Sequence, residues 1–297
     1  MTTRKPEPKT QKVKKEKTSA AKESAVVKNK AVTVTSKKAA APKNDRQMLR
    51  SWNLWLAIAL LIEAAVIVLL AKDLSVPLAL NYVARDVLAS EATGVQTFAL
   101  AGRHLFDVPV AWILAKSLLI LALAHLLVAT VWRGHYNNWL QRGVNKMRWV
   151  AAGVVGGYIA VTIALLSGVN SLQFLVLLFG LSVAAGLCAL AVELMGAGRR
   201  LRKVLALTAV CSGVGIWIIL GSFVLGSVLY DGNMLAYLYG VYAVQFVLFA
   251  VGLVMSYLRL RQRGKFADTV YTERMFMLLG FMTVSLLAWQ VFVGLLQ

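Results

Sequence analysis

The sequence predicts an all-α membrane protein, a bundle of seven transmembrane helices with a small β-hairpin in the first outer loop. Three observations carry this. Hydrophobic residues make up 59% of the 297-residue chain and charged residues only 15%, with mean hydropathy +0.69. A soluble domain is about 45–50% apolar and about 25% charged, so a soluble enzyme is excluded. The apolar residues fall into seven runs, at 52–71, 108–132, 147–167, 171–196, 203–229, 234–258 and 272–296. Each reaches or exceeds the ~20 residues that a helix needs to cross ~30 Å of hydrocarbon. None shows two-residue alternation, and unpaired backbone is too costly in lipid for any other open structure.

The formal charge of +19 divides into two unlike parts. Residues 1–50 hold 15 Lys/Arg against 4 acids, and 51–297 hold 17 against 9. The first segment is rich in Lys, Ala, Thr and Ser, has little to bury, and is expected to be a disordered, basic cytoplasmic tail. Such a tail can grip anionic lipid or a cytoplasmic partner, or simply enforce topology. It lacks the interleaved aromatics that stack nucleic-acid bases, which disfavours a nucleic-acid arm. The domain division is therefore 1–50 and 51–297.

Orientation follows from the cations in the connections. The second carries Arg133, Arg142, Lys146 and Arg148, the fourth Arg199, Arg200, Arg202 and Lys203, and the sixth Arg259, Arg261, Arg263 and Lys265. The first balances Lys72, Arg85 and Arg103 with Asp73, Asp86, Glu91 and Asp107; the third has no charge and the fifth only Asp231. Every second connection is basic, in phase with the tail. The positive-inside rule then predicts a multi-pass cell-membrane protein with a cytoplasmic N-terminus and an extracellular C-terminus.

The long outer connection, 73–107, contains apolar stretches at 78–83 and 95–100 separated by Asp86, Ser90 and Gly94, a hairpin pattern. Its 35 residues exceed what a mere link requires. Cys188 and Cys211 lie in apolar runs without metal-ligand or disulfide spacing and are expected to be buried free thiols. No metal site is expected.

Three ionisable groups lie within the spans: Glu63 in the first, Lys116 and His125 in the second. Intramembrane charges mark functional or paired positions. Glu63 and Lys116 each lie nine residues from the outer end of antiparallel neighbours, roughly 13 Å deep at 1.5 Å per residue, so an ion pair between them is expected. Glu193, which ends the fourth run beside Arg199–Lys203, reads as an interfacial charge.

The later spans carry a resemblance. The last reads Ser285-Leu286-Leu287-Ala288-Trp289-Gln290-Val291-Phe292, preceded by Gly264-Lys265-Phe266 and Glu273-Arg274. The third opens Asn145-Lys146-Met147-Arg148-Trp149-Val150, the fourth carries Phe179-Gly180, and the sixth runs from Tyr239-Gly240 to Tyr257. Taken together over 52–297, these resemble the heliorhodopsins, seven-helix retinal proteins of inverted orientation. The resemblance implies a rhodopsin-like bundle, a homodimer built on the outer β-structure, and a retinal Schiff base on a last-helix lysine with a glutamate counterion. At the matching positions this chain has Val284 and Ala151, and no lysine follows Lys265. A Schiff base needs a primary amine, which valine lacks. The expectation is thus a heliorhodopsin-like protein without covalent cofactor, a sensory, regulatory or interaction module rather than a pump or an enzyme. His125, Trp217, Tyr239, Phe246 and Trp289 are the expected lining of any inherited pocket. Retinal held non-covalently or through Lys116 is the alternative; a small-molecule transporter or channel is a second.

Overall fold

A computed structural model describes residues 43–195, 200–232 and 234–296. The expected tail therefore lies outside the described residues up to position 42.

Among the described residues, seven helices are long and apolar enough to cross a membrane. They are α1 (Lys43–Leu70), α3 (Val110–Ala129), α5 (Lys146–Leu166), α6 (Leu172–Leu194), α7 (Arg200–Leu229), α8 (Ala236–Leu260) and α9 (Thr269–Val291), the last extended by a π-turn at Phe292–Leu296. All seven coincide with the apolar runs. The main departure is α1, which begins at Lys43 inside the expected tail. The cause is packing: Leu49, only 1% exposed, joins Leu56, Val128, Tyr136, Leu140, Val270 and Met277 in a small apolar cluster that makes the extra turns favourable.

Around the ring, α1 packs on α3, α3 on α5, α5 on α6 and α6 on α7, while α9 closes the bundle against α8, α1 and α3. The main core gathers Leu60, Leu114, Leu118, Ile163, Leu178 and Leu287, each fully buried. Helices α5 and α6 approach unusually closely through Gly153, Ser182 and Gly186, with the Ser182 hydroxyl donating to the Gly153 carbonyl at 2.9 Å. Small residues permit such approach between helices in lipid.

The hairpin sits in the connection after α1. Strands β1 (Ser75–Asp86) and β2 (Thr97–Pro109) pair antiparallel from Ser75↔Pro109 to Asp86↔Thr97, with a bulge at Leu78/Ala79. A short helix, α2 (Val87–Thr93), forms the tip. Asp86 caps its start by accepting from Ala89 N at 3.0 Å, and Gly94 ends it with φ +67°, a conformation that glycine adopts without strain. The strands run longer than the apolar stretches 78–83 and 95–100. Three bonds dock the hairpin on the α5–α6 loop and the start of α6: Ala79 N donates to Asn170 O at 2.9 Å, Gln173 Nε2 to Asn81 O at 2.6 Å, and Asn81 N to Gln173 Oε1 at 3.3 Å.

A further helix, α4 (Arg133–Gln141), lies between α3 and α5. Its sequence is too polar and too short to read as a span. It forms because Tyr136 and Leu140, one turn apart, share the face that packs on α1 and α9. Burial pushes the Tyr136 hydroxyl well above the usual tyrosine pKa, and nearby Glu273 adds to the shift, so it remains protonated.

The two cysteines are free thiols, but only Cys188 is partly covered. The expectation of burial fails for Cys211, which is exposed on the bundle's outer face. In lipid an outward thiol meets hydrocarbon, so its apolar neighbours do not imply burial.

Candidate functional site

The end of the bundle that carries the basic connections, here the basic end, holds a buried ionic cluster. Helices alternate in direction, so the starts of α5 and α9 meet the ends of α6 and α8. Arg148, one turn into α5, donates through its two terminal nitrogens to Glu193 on α6 and to Glu273 on α9. The three side chains are 9%, 8% and 3% exposed. Guanidinium geometry suits this bridging, because its fork presents several donors in one plane. Asn145 completes the arrangement. Its side-chain carbonyl caps α5 by accepting from Arg148 N at 3.1 Å, its amide donates to Glu273 Oε2 at 2.7 Å, and its backbone N–H donates to Glu193 Oε2 at 3.1 Å. The guanidinium also lies over the rings of Trp149 and Phe276, at 5.0 and 4.5 Å from their centroids.

Arg259, at the end of α8, is the second buried cation. It donates to the carbonyls of Gly143, Phe266 and Ala267 and to the Thr269 hydroxyl, at 3.1–3.4 Å. It thereby fixes the loops entering α5 and α9. Two arginines thus face two glutamates, and the buried charges balance.

Above this floor lies a cavity of about 900 Å³ between α3, α5, α6, α7, α8 and α9, with mostly apolar walls. It exists because facing positions are small: Ala185 and Ala189 on α6, Ala206 and Ala209 on α7, Gly252 on α8 and Gly280 on α9 all line it. Ala151 and Val284 are both in its wall, 7% and 1% exposed.

Of the residues expected to line a pocket, His125 and Trp217 do. Tyr239, Phe246 and Trp289 do not; they are 37%, 52% and 37% exposed on the outer surface. The reason is angular. Successive residues on a helix are rotated by about 100°, so Gln245 faces the cavity while Phe246 faces out. Phe246 packs edge-on against Trp217 at 5.4 Å, and Trp289 against Phe292 at 5.6 Å.

His125 belongs to a polar chain. Its Nδ1 lies 2.8 Å from Asn53 Oδ1, and Asn53 Nδ2 donates to Leu49 O at 2.8 Å. Since the Asn53 amide nitrogen is committed to a carbonyl, its oxygen faces the imidazole, and Nδ1 carries the proton. Nε2 is then an acceptor.

The expected Glu63–Lys116 ion pair is corrected. Glu63 accepts from the Ser285 hydroxyl at 2.7 Å, and among the described residues no ion pair joins it to Lys116. Lys116 lies exposed on the outer face, flanked by buried Ala115 and Ser117. Equal depth sets the height of a side chain, not the direction in which it points. Glu193 ends its span as expected, but it is a buried partner of Arg148 and not a lone charge.

Arg148, Glu273 and Asn145 stand in the motifs quoted above, but nothing in their spacing marks them as one cluster. The usable signal is that each lies within one turn of a span end, at ends which alternating helix direction brings together. Arg259, at the end of α8, shares this signal; Asn53 and Tyr136 do not. Among the described residues no group of three His, Cys, Asp or Glu side chains could hold a metal ion.

The heliorhodopsin resemblance implies retinal on an amine within such a cavity. Among the described residues no lysine lines it, so the residues present do not fit a covalently attached retinal, and Lys116 lies exposed on the outer face. No curated protein matches the chain. A family model described as heliorhodopsin matches residues 49–296, which takes in all seven spans, the hairpin and the buried cluster. The chain belongs to the heliorhodopsin family.

Proposed function

We propose that this heliorhodopsin-family membrane protein works without a covalently bound retinal, as a sensory or interaction module with no pump, transport or catalytic role. The observation that supports this reading is the cavity wall, where Val284 and Ala151 stand at the positions that the resemblance matches to the family's lysine and counterion, and where no lysine lies among the described residues. A Schiff base cannot form without a primary amine. The transport reading has less support, because the cavity is apolar beyond its ionic floor and the spans show no paired broken helices.

Adding all-trans retinal to the purified protein is the test. The expected spectrum has no red-shifted band, and borohydride traps no retinyl adduct. Val284→Lys should yield a weak pigment, and the further change Ala151→Glu a more stable one, since the new cation then has a counterion. A stable pigment from the unmodified chain overturns the reading, and its loss on Lys116→Met assigns the amine.

The chain's basic connections support a cytoplasmic N-terminus and an extracellular C-terminus. A cysteine introduced at residue 20 should not react with an impermeant reagent in intact cells; reaction there inverts the topology. The tail 1–50 is read as a contact for anionic lipid or a cytoplasmic partner.

The hairpin leaves Tyr82, Val83, Phe98 and Leu100 between 50% and 72% exposed outside the spans. Val83, Leu100 and Phe98 share one face of the hairpin and Tyr82 lies on the other; the exposed apolar face supports burial against a second copy. Deleting residues 84–96 should convert a dimer in detergent to a monomer; an unchanged dimer places the interface elsewhere.

A further inference from the structure

The cavity's charges and its unpaired polar atoms restrict what it can hold. Its ionic floor is balanced, with Arg148 and Arg259 opposite Glu193 and Glu273. A ligand carboxylate would meet two buried glutamates, and a ligand amine two buried arginines, without a free countercharge for either. A buried unpaired charge is costly, so the cavity selects a neutral molecule. The walls are apolar and include residues that are themselves exposed on the bundle surface, Leu207 and Val210 on α7 and Val254 and Tyr257 on α8. The ligand is therefore a lipid-soluble one.

Four residues of the wall carry buried polar atoms without a partner: His125 Nε2 and Gln245 Oε1, which accept, and Arg148 Nε and Trp149 Nε1, which donate. His125 is 8% exposed and Gln245 1%. The roles are fixed by their other bonds: His125 Nδ1 is held by Asn53, and Gln245 Nε2 donates to Thr283 O at 3.1 Å. A buried acceptor left unpaired is unfavourable, and a donor on a bound molecule relieves it. The oxygen of an aldehyde or an ether can meet only the two donors and leaves both acceptors unpaired; an alcohol can also donate to one of the acceptors.

We propose that the cavity reversibly binds a neutral, membrane-soluble alcohol whose hydroxyl donates to His125 Nε2. This rests on the preceding reading, in which the cavity holds no covalent chromophore.

Three probes with one polyene and different heads test it: all-trans-retinol, retinyl methyl ether and retinoic acid. Each is titrated into the full-length protein in nanodiscs, and binding is read from quenching of tryptophan fluorescence, since Trp149 and Trp217 line the cavity. Retinol should bind saturably and about tenfold more tightly than the ether, which has no donor. Retinoic acid should bind more weakly than retinol. His125→Phe should lower retinol affinity to that of the ether and leave the ether unchanged, whereas Gln245→Leu should leave the retinol preference in place. The comparison on the unmodified protein needs no variant, so a poorly folded His125→Phe does not spare the proposal.

Equal affinity for retinol and ether overturns it, as does preferred binding of the acid. A fall in both affinities on His125→Phe also overturns it, because the imidazole then acts through shape alone. Absence of saturable binding by all three probes removes the cavity as an alcohol site. None of these outcomes bears on the covalent question, which a red-shifted retinal pigment alone decides.

Discussion

Arg148→Met is expected to lower the unfolding free energy by about 3–5 kcal/mol, the range seen when one partner of a buried ion pair is removed. The substitution leaves Glu193 and Glu273 facing one another, both under one-tenth exposed, with only Asn145 as a shared donor. It also removes the guanidinium that lies over the Trp149 and Phe276 rings. Thermal denaturation in detergent, followed by circular dichroism, measures the loss. The double variant Arg148→Met, Glu193→Gln should recover a large part of it, because one carboxylate, Glu273, then remains to balance the one buried cation, Arg259. A loss below about 1 kcal/mol for Arg148→Met would show that the carboxylates do not depend on this arginine, and would remove the cluster as the tie between α5, α6 and α9.

Gly186→Ala is expected to destabilise by about 1–3 kcal/mol, the usual cost of overpacking a close contact. A Cβ at Gly186 would lie 2.7 Å from the Trp149 carbonyl oxygen and 2.8 Å from the Gly153 Cα. Both obstacles are backbone, so no rotamer change relieves them, and α5 must move away from α6. That motion starts at Trp149, next to Arg148, so it also loosens the Arg148–Glu193 bridge. The clash outweighs the gain of about 1 kcal/mol in helix propensity from glycine to alanine. Gly180→Ala on the same helix is the control. Its Cβ meets nothing within 4 Å, so stability should be unchanged or slightly raised. Equal melting temperatures for Gly186→Ala and the parent protein would rule out the tight α5–α6 contact.

The number and place of the spans were legible in the sequence because bilayer thickness sets a length that a run of residues either meets or fails to meet. The seven apolar runs and the seven helices agree for that reason. The hairpin was legible from polar and glycine residues between two apolar stretches in a connection too polar to enter lipid. Residues 43–50 were misread because α1 is extended by contacts from α4 and α9, which no local pattern reports.

The facing of side chains was not legible. In a soluble helix the buried face is apolar and the wet face polar, so the pattern gives the direction. Here lipid and core are both apolar, and the spans carry little periodic contrast. Phe246 and Gln245 are neighbours in one apolar run, yet the polar residue lies inside and the aromatic outside. Lys116 and Glu63 share a depth, yet the first points outward and the second reaches Ser285. Glu193 and Glu273 are 80 positions apart and become neighbours across Arg148 only because α6 ends where α5 and α9 begin. The sequence by itself determined how many times the chain crosses the membrane and that positions 151 and 284 hold alanine and valine. Only the tertiary structure decided that those two residues line one cavity above a neutralised ionic floor, because helix rotation in a solvent as apolar as the core is set by packing between helices and leaves no trace in hydropathy.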